Sequence, residues 1–462
     1  MSQKLNKGFL IAFGVLVTLT FSYCSKNPDT STSTIDPQLT AASTNVTATE
    51  DPAFVPNELI VKFKPGKTDK EKENVLARVN GKVLEKIHTK AMEKDGDTEG
   101  IVLINTSLDA LDAKVKINGP EIEYAEPNYI YTHEAIANDP YFTNNSLWGM
   151  SSTFGSQASI AWGKGNTGSS SVVVGVIDEG IQYDHPDLDG QIWTNPNEID
   201  GDGIDNDHDG YIDDIHGWDF ANNNNSIYDG GTTGSQDSHG THVSGTIGAK
   251  ANNTIGVVGM NWHISIISAK FLTPTGGTTA NAIKAIDYFV TLKGLGLNIV
   301  ALNNSWGGGG YSQALYDAIS RANKADILFI AAAGNGNNAG IGINIDKKPS
   351  YPASYNISNV IAVAAIDVTG KLATWSNYGA KTVHLGAPGV GIWSTVPGTL
   401  QYASYSGTSM ATPHVTGAVA LYASIHPGTA AQIKAAILGS VTKYTALSGK
   451  TVSGGRLNVS GF

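Results

Sequence analysis

The amino-acid sequence predicts an α/β fold, a parallel sheet flanked by helices, preceded by a small α+β domain. Apolar runs such as SVVVGVI, NIVALNNS and NVIAVAAI lack a polar face, and helical patterns such as TTANAIKAIDYFVTLKG lie between several of them. Continuous apolar strands that alternate with helices are typical of a parallel sheet covered on both sides. The 462 residues, 41% of them apolar, are enough for more than one domain.

The first 24 residues predict an export signal. Lys4 and Lys7 form a basic start, and an apolar run at residues 8–23 ends directly before Cys24. The run is shorter than the roughly 20 residues that a membrane-spanning helix needs. Cys24 is the only cysteine of the chain, which excludes an intrachain disulfide framework.

The sequence FSYC that ends at Cys24 resembles a loose bacterial lipoprotein signal, although Tyr23 is bulkier than the residue usual there. Lipidation of Cys24 would attach the protein to the membrane, whereas plain cleavage of the signal would release it. Both alternatives predict export from a bacterial cell, with the protein either secreted or lipid-anchored at the cell envelope.

Two segments of different character precede the α/β domain. Residues 25–53, rich in Ser, Thr, Asp and Pro, predict a disordered linker. In residues 54–134, NELIVKFKPG and GIVLINT predict strands, TDKEKENVLARVNG predicts a helix, and the segment ending in IEYAEPNYIY predicts a helix and then a strand. This order is typical of a ferredoxin-like α+β domain. The α/β domain is predicted at residues 138–462.

The acidic composition limits the possible partners. The formal net charge is −11. Nucleic acid is excluded as the expected partner, because phosphate binding needs clustered Lys and Arg. We expect a monomer.

Four polar side chains stand at the ends of predicted elements of the α/β domain. SVVVGVIDEG ends its strand on Asp178, and FIAAAGNGN ends a strand near Asn335. DSHGTHVSGTIGA and SGTSMATPH open helices at His239 and Ser409. Ligands of open α/β sheets bind at the carboxyl ends of the strands, so these four residues are candidates for a functional site.

The four residue types suit nucleophilic catalysis. The Ser409 hydroxyl needs a neighbouring base, and His239 can take its proton and return it to a leaving amine. A buried aspartate, here Asp178, fixes the imidazole tautomer and stabilises its cation. The backbone N–H of Ser409 and the Asn335 carboxamide can bind the negative oxygen of a tetrahedral intermediate. His242 is interpreted as a packed residue, because a zinc site would need a third protein ligand.

The motifs VVGVIDEGI, HGTHVSGTI, AAAGN and GTSMATPHVTG resemble, in this order, those of the subtilisin family of serine endopeptidases. The resemblance runs from about residue 138 to GGRLNVS at residues 454–460. It implies a subtilisin-like fold and hydrolysis of proteins or peptides by an Asp178–His239–Ser409 triad with Asn335. A non-catalytic, calcium-stabilised scaffold would be favoured by an altered triad, and an esterase by a G-x-S-x-G elbow; the sequence has neither.

The resemblance also implies a substrate site. NNSWGGGG, residues 303–310, would pair with the substrate as an added strand. The residues that would line the first pockets are Ser305, Trp306, Gly307, Ala332, Ala333 and Gly334. No obvious acidic residue marks the pocket, so we expect apolar or broad specificity.

An acidic segment, DGDGIDNDHDGYIDD at residues 200–214, predicts a calcium site. Its alternating carboxylates followed by Gly210 match the start of an EF-hand loop. The match ends at the twelfth position, where His216 replaces the glutamate, and either Asp213 or Asp214 would close the shell. Like charges this close repel one another without a cation, and a solvated acidic loop is the alternative. The expected ligands are Asp205, Asp207, Asp209, Tyr211, Asp213 and Asp214.

A second calcium site is implied by the resemblance alone. DHPDL and AKANNTIGVVG resemble the family's tight calcium site, to which NDPYF would add a ligand. The implied ligands are Asp139, Asp187, Asn253 and the backbone carbonyls of Ala251, Ile255 and Val257. In a chain without disulfides, bound Ca²⁺ would be a main brake on unfolding and self-digestion.

Residues 54–134 resemble a subtilase propeptide, above all in IEYAEPNYIY. The resemblance implies a folding aid and inhibitor that acts in cis by covering the active site. Cleavage would fall between about Tyr131 and Asn138. A permanent accessory domain is the alternative.

Overall fold

The chain divides into an N-terminal and a C-terminal unit. The computed structural model describes residues 54–129 and 136–462, and each range forms one of these units. The predicted export signal with Cys24, the predicted linker and most of the predicted cleavage region, at residues 1–53 and 130–135, lie outside the described residues.

The N-terminal unit is built on an antiparallel four-stranded sheet. Its elements are β1 (Phe54–Phe63), α1 (Asp69–Ala77), β2 (Lys82–Ile87), α2 (Lys90–Lys94), β3 (Ile101–Asn105), α3 (Ala110–Ile117) and β4 (Ile122–Tyr129). The strand order is β2-β3-β1-β4, and the neighbouring pairs run antiparallel. The predicted α+β class is confirmed. The sequence analysis missed β2 and α2, because β2 is an exposed edge strand without apolar alternation.

The C-terminal unit is an α/β fold, as predicted. Its helices are α4 (Pro140–Thr143), α5 (Trp148–Ser151), α6 (Ala158–Gly163), α7 (Ser238–Gly248), α8 (Thr279–Gly294), α9 (Gln313–Lys324), α10 (Thr408–Ala423) and α11 (Ala430–Gly439). Its strands are β5 (Gly168–Asp178), β6 (Gly217–Asp219), β7 (His263–Lys270), β8 (Ile299–Asn304), β9 (Leu328–Ala332), β10 (Val360–Ile366), β11 (Leu385–Pro388), β12 (Ile392–Thr395), β13 (Tyr402–Tyr405), β14 (Thr442–Lys443) and β15 (Gly455–Arg456).

The large sheet has the strand order β14-β15-β11-β10-β9-β8-β5-β7-β6 and is parallel from β15 to β6. Both faces are buried: on β5, Val174 and Val176 pack into one core, and Val173 and Ile177 pack into the other. The first core contains α7, α10 and α11, and the second contains α8 and α9. This two-sided burial explains why the strands read as continuous apolar runs.

The strands and helices of this unit bring polar residues to the carboxyl edge of the sheet. β5 ends at Asp178, β9 ends shortly before Asn335, and α7 and α10 begin beside them. Small residues let α10 lie close to its neighbours; a Cβ at Gly417 would stand 2.6 Å from Met260 Cβ. Within the described residues, none of the helices combines the length and the apolar composition that crossing a bilayer requires.

Candidate active site

Asp178 and His239 meet at the carboxyl end of the parallel sheet. Asp178, the last residue of β5, is 1% exposed. Its Oδ1 accepts hydrogen bonds from the Glu179 N–H and from His239 Nδ1, both at 2.8 Å. His239 is the second residue of α7, and its side chain is 20% exposed. The contact places the imidazole proton on Nδ1, so Nε2 is the nitrogen able to accept another proton.

Local contacts hold Ser409 at the start of α10. Pro413 lacks an N–H, so the Ser409 carbonyl loses its helical donor, and the Ser305 hydroxyl donates to this carbonyl at 2.8 Å instead. In return, Ser409 Oγ donates to the Ser305 carbonyl at 2.9 Å. Ser409 is 7% exposed. The hydroxyl is therefore fixed against the segment that follows β8.

Thr408 orients the Asn335 side chain. Asn335 Oδ1 accepts hydrogen bonds from the Thr408 N–H and the Thr408 hydroxyl, both at 2.9 Å. Because both donors require an oxygen, the amide orientation is fixed and Nδ2 becomes the group available to a ligand. The Ser409 N–H belongs to the first turn of α10, where backbone donors have no intrahelical acceptor. These two N–H groups are suited to an anionic oxygen.

A cleft of about 790 Å³ collects most of the predicted site residues. His239, Asn335 and Ser409 line it, together with Ser305, Trp306, Gly307, Ala332 and Gly334 of the predicted substrate-binding set. Ala333, the remaining member of that set, is not among the described residues that line the cleft. Its side chain is fully buried, its N–H donates to the Val363 carbonyl, and its carbonyl accepts from Asn377 Nδ2. Ala333 therefore offers the cleft neither a side chain nor a backbone group.

The glycine run after β8 forms an open edge of the cleft. Gly309 pairs with Tyr351 in an antiparallel bridge, and the Gly308 N–H donates to the Tyr351 carbonyl at 3.1 Å. A Cβ at Gly308, Gly309 or Gly310 would meet no atom within 4 Å. Tyr351 already uses the Gly308 N–H, and the absence of side chains at residues 308–310 leaves room for an extended peptide along the rest of this segment.

The sequence analysis missed two parts of the cleft. Residues 272–279 after β7 line one side, and Glu179 lines it beside His239. The loop carries no motif, and the fold alone brings it to the cleft. For Glu179 a signal was available, because a second carboxylate directly follows Asp178 in VVGVIDEGI.

His242, one turn along α7 from His239, is fully buried. Its Nε2 donates to the Ile392 carbonyl at 2.9 Å, and its ring stacks on Tyr405 with 4.5 Å between ring centres. Burial lowers the pKa of His242 to about 3. This histidine is a neutral packing residue, in contrast to His239.

The acidic segment folds into two overlapping groups of carboxylates. Oxygens of Glu198, Asp205 and Asp207 lie within 4.8 Å of one another, as do oxygens of Asp207, Asp209 and Asp214. Asp213 belongs to neither group, and its Oδ2 accepts from the Gly203 N–H at 3.1 Å. The Tyr211 N–H donates to Asp209 Oδ1 at 2.9 Å.

Glu198 is the member of these groups that the sequence analysis missed. It precedes the acidic run in NPNEID and is 9% exposed. Its Oε1 accepts from the backbone N–H groups of Asn206 and Asp207 at 2.7 and 3.1 Å. These hydrogen bonds within the folded loop bring the Glu198 carboxylate next to Asp205 and Asp207.

The carboxylates of this segment fit a hard cation. Asp205 Oδ1, Asp209 Oδ2 and Asp213 Oδ1 are buried and have no hydrogen-bond partner among the described residues. Burial, with the charges of Asp207 and Asp205, raises the pKa of Asp209 to about 7. Burial likewise raises the pKa of Asp214 to about 7. Oxygen ligands of this kind and number are those that Ca²⁺ prefers.

The residues of the second implied calcium site also lie together. Asn253 Nδ2 donates to Asp187 Oδ1 at 2.7 Å, and the Asn253 N–H donates to Asp139 Oδ1 at 3.4 Å. Burial raises the pKa of Asp187 to about 6 and also raises that of Asp139. The carbonyls of Ala251, Ile255 and Val257 accept no hydrogen bond from other described backbone groups. Two buried carboxylates beside unused carbonyls fit a bound cation.

Comparisons with known proteins agree with this architecture. Residues 169–455 match the family model described as Subtilase family, and residues 40–128 match the Fervidolysin N-terminal prodomain. The thermophilic serine proteinase of Bacillus sp. (strain AK1) is 34% identical over 383 residues, which cover 81% of this chain and 80% of the relative. Thermitase of Thermoactinomyces vulgaris is 34% identical over 322 residues, covering 70% and 96%.

A solved structure of proteases from Pseudoalteromonas arctica PAMC 21717 superposes with a TM-score of 0.56 at 26% identity. The match covers 70% of this chain and 97% of that structure. Because the family model spans more than half of the chain and agrees with the relatives, the resemblance noted in the sequence is confirmed. The chain belongs to the subtilase family of serine endopeptidases and carries a prodomain of the fervidolysin type.

Proposed function

We propose that this subtilase hydrolyses peptide bonds with Asp178, His239 and Ser409 as its triad. The observation that carries the proposal is the 2.8 Å contact between His239 Nδ1 and Asp178 Oδ1, at a cleft that Ser409 also lines. The substrates are proteins or peptides, and the enzyme acts as a monomer.

In the proposed mechanism, the Ser409 hydroxyl leaves the Ser305 carbonyl and turns to His239, and its Oγ attacks the scissile carbonyl carbon while His239 Nε2 takes the hydroxyl proton. Asp178 stabilises the resulting imidazolium. Collapse of the tetrahedral intermediate breaks the C–N bond, and His239 returns the proton to the departing amine. Water then attacks the acyl-Ser409 ester by the same proton transfers and regenerates the enzyme.

Asn335 and the start of α10 stabilise the charged intermediates. Thr408 holds Asn335 Oδ1, so Nδ2 can donate to the oxygen that becomes negative. The Ser409 N–H is the second donor and has the favourable end of the helix dipole behind it. The substrate backbone pairs with the segment at residues 303–310, whose glycines at 308–310 carry no Cβ that could obstruct its approach.

We further propose that the enzyme depends on Ca²⁺ for stability. In the acidic segment the proposed ligands are Glu198, Asp205, Asp207, Asp209 and Asp214, with the Tyr211 carbonyl and Asp213 as the remaining oxygens. In the second site they are Asp139, Asp187, Asn253 and the carbonyls of Ala251, Ile255 and Val257. The positive charge of the ion would neutralise the buried carboxylates. Because the ion would bind the folded state and not the unfolded chain, it would stabilise the fold.

The N-terminal segments are proposed to direct export and delay activity. Residues 1–24 are the export signal, with lipidation at Cys24 or plain cleavage, and residues 25–53 are the linker. Residues 54–134 are an inhibitory propeptide that the catalytic domain, residues 138–462, removes by cutting between about Tyr131 and Asn138. Replacing Cys24 by Ser would separate lipid anchoring from release into the medium.

A single incubation tests the proposal. Protein spanning residues 25–462 is kept with Ca²⁺ as wild type, as Ser409→Ala and as the control Ser404→Ala, which alters an exposed serine of the same segment. We measure the mass of the N-terminal part and the peptides released from an unfolded protein. Wild type and control should lose the residues before about Asn138 and cut the substrate, while Ser409→Ala should do neither.

Cleavage by Ser409→Ala would contradict the assigned nucleophile. If wild type also stays intact and inactive, a trace of an active subtilase is added. Activity that then appears indicates an outside activator, and continued inactivity refutes the proposed function.

A further inference from the structure

A second carboxylate contacts the residue proposed as the catalytic base. Glu179 follows Asp178 directly, lines the cleft and is partly buried. Its Oε1 accepts a hydrogen bond from the backbone N–H of His239 at 2.5 Å. Asp178 holds the ring of His239 and Glu179 holds its backbone, so two consecutive residues at the end of β5 fix one histidine.

The helix that carries His239 needs this external acceptor. The residue before α7 is Asp237, which has φ of 62° and makes no side-chain cap. Its carboxylate is instead bonded to Lys270 Nζ and to the Asp229 N–H. Glu179 therefore supplies the negative group that a helix N-terminus favours.

The charges around the site leave Glu179 without a cation of its own. The titratable groups that face Glu179 and His239 directly are Asp178 on β5, Asp237 before α7 and His242 one turn along α7. Asp229 and Lys270, the latter at the end of β7, lie beyond Asp237. Lys270 is 2% exposed and pairs with Asp229 and Asp237. Among the described residues, no lysine or arginine forms an ion pair with Glu179.

This arrangement favours a positive charge on His239. An ionised carboxylate near an imidazole stabilises the imidazolium, and low solvent access strengthens the effect. Burial in turn raises the pKa of Glu179, an effect that the proximity of His239 opposes. The protonation states of Glu179 and His239 therefore depend on each other, and the hydrogen bond from the His239 N–H holds the two side chains close together.

We propose that Glu179 is a positioning residue that sets the acidic limit of catalysis, because it caps α7 and stabilises the imidazolium form of His239. The inference rests on the proposed function, since the base must be neutral for Ser409 to lose its proton. An ionised Glu179 then moves the acidic limb of the pH profile to higher pH than a neutral residue would.

The test compares kcat/KM from pH 5 to 9 for processed wild type, Glu179→Gln, Glu179→Ala and the control Asp184→Asn. Glutamine keeps an oxygen acceptor for the His239 N–H and removes the charge. We expect its acidic limb to move down by about one pH unit. Alanine should shift the limb similarly and also lower kcat, because the cap is lost. Asp184 is an exposed carboxylate of the same loop, and its variant should match wild type.

A second measurement does not depend on activity. The imidazole signal of His239, assigned by its loss in His239→Gln, is titrated by NMR in Ser409→Ala and in the double variant that also carries Glu179→Gln. A trace of an active subtilase first removes the residues before about Asn138 from both proteins. The double variant should show the lower pKa, by the same amount as the kinetic limb. Coinciding titration curves would overturn the inference even if the wild type is an active protease. Inactive wild type with shifted curves would refute the proposed function and leave the link between Glu179 and His239 standing.

Discussion

The cleft and the acidic loop both bury carboxylates, but they compensate the charge differently. At the cleft, Asp178 Oδ1 accepts from the Glu179 N–H and from His239 Nδ1, while the buried Asp178 Oδ2 has no hydrogen-bond partner among the described residues. In the loop, Asp209 Oδ2 has no partner among the described residues, and burial with neighbouring aspartates raises the Asp209 pKa to about 7. Asp178 has an imidazole of the same chain as the partner of one oxygen, whereas the charged groups around Asp209 are further carboxylates.

The difference indicates where each region obtains its stability. A carboxylate paired with an imidazole is held by the fold itself, so its geometry is ready before any ligand arrives. Clustered carboxylates without a counter-ion cost free energy until a cation binds. Catalysis at the cleft should therefore respond to removal of Asp178, and folding of the loop should respond to removal of Ca²⁺.

The largest expected effect comes from removing the charge at the cleft. Asp178→Asn keeps the side-chain shape but loses the group that fixes the imidazole tautomer and stabilises its cation. We expect kcat to fall by about 10⁴-fold with little change in the melting temperature. Steady-state kinetics on an added peptide substrate measure this, with the exposed Asp317→Asn as the charge-matched control. A loss below about tenfold would remove Asp178 from the mechanism.

Removing Ca²⁺ is the corresponding change at the loop. Ser409→Ala is unfolded with and without a chelator, so that self-digestion does not interfere. At free Ca²⁺ about a thousand times the Kd of a site, binding at each of the two proposed sites should add about 4 kcal/mol to the free energy of unfolding. Asp209→Asn should be more stable than its parent in chelator, because a repulsive charge is gone, and should gain less from Ca²⁺. Equal melting temperatures with and without Ca²⁺ would favour a solvated acidic loop.

A variant of Asn335 tests stabilisation of charge that develops only during the reaction, in contrast to the carboxylate charge that is present at rest. Asn335→Leu removes the Nδ2 donor that Thr408 orients through Oδ1. We expect kcat to fall by about 10²- to 10³-fold, or roughly 3–4 kcal/mol of transition-state stabilisation, while KM changes little. A rise in KM at constant kcat would instead show that Asn335 binds the ground state.

The sequence predicted those parts of the structure that leave a regular apolar pattern along the chain. β5 and β8 were predictable because both of their faces are buried. Asp178, His239, Asn335 and Ser409 were candidates because they lie at or near the ends of regular elements, and their catalytic roles stay predictions. The edge strand β2 was missed because it is solvent-exposed and has no apolar pattern. The short hairpin β12–β13, with four residues in each strand, was missed for want of length.

At the site, the sequence failed where tertiary structure brings distant groups together. Glu198 enters the acidic groups through bonds to the backbone of the loop, which no spacing rule describes. Residues 272–279 reach the cleft only because β7 lies beside β5 in the sheet. Ala333 was expected at the cleft, but its N–H is bonded to Val363 of β10 and its carbonyl to the Asn377 side chain.

The smallest expected effect concerns His242, which shares α7 with His239 but has no carboxylate beside it. Its pKa is about 3 in the folded protein, against 6.5 for an ordinary histidine, because of burial. Between these values the unfolded chain binds more protons than the folded one, so stability falls as the pH drops below 6.5. From pH 7 to 5 this one group should remove about 2 kcal/mol.

His242→Gln in the Ser409→Ala background isolates this contribution. Urea unfolding at pH 7 and pH 5 in saturating Ca²⁺ gives the loss of stability for each protein. The glutamine variant is less stable at pH 7, because it loses the stacking on Tyr405, but its loss on acidification should be smaller by about 2 kcal/mol. An unchanged loss would mean that His242 accepts a proton in the folded state, and the contrast between the two histidines of α7 would then fail.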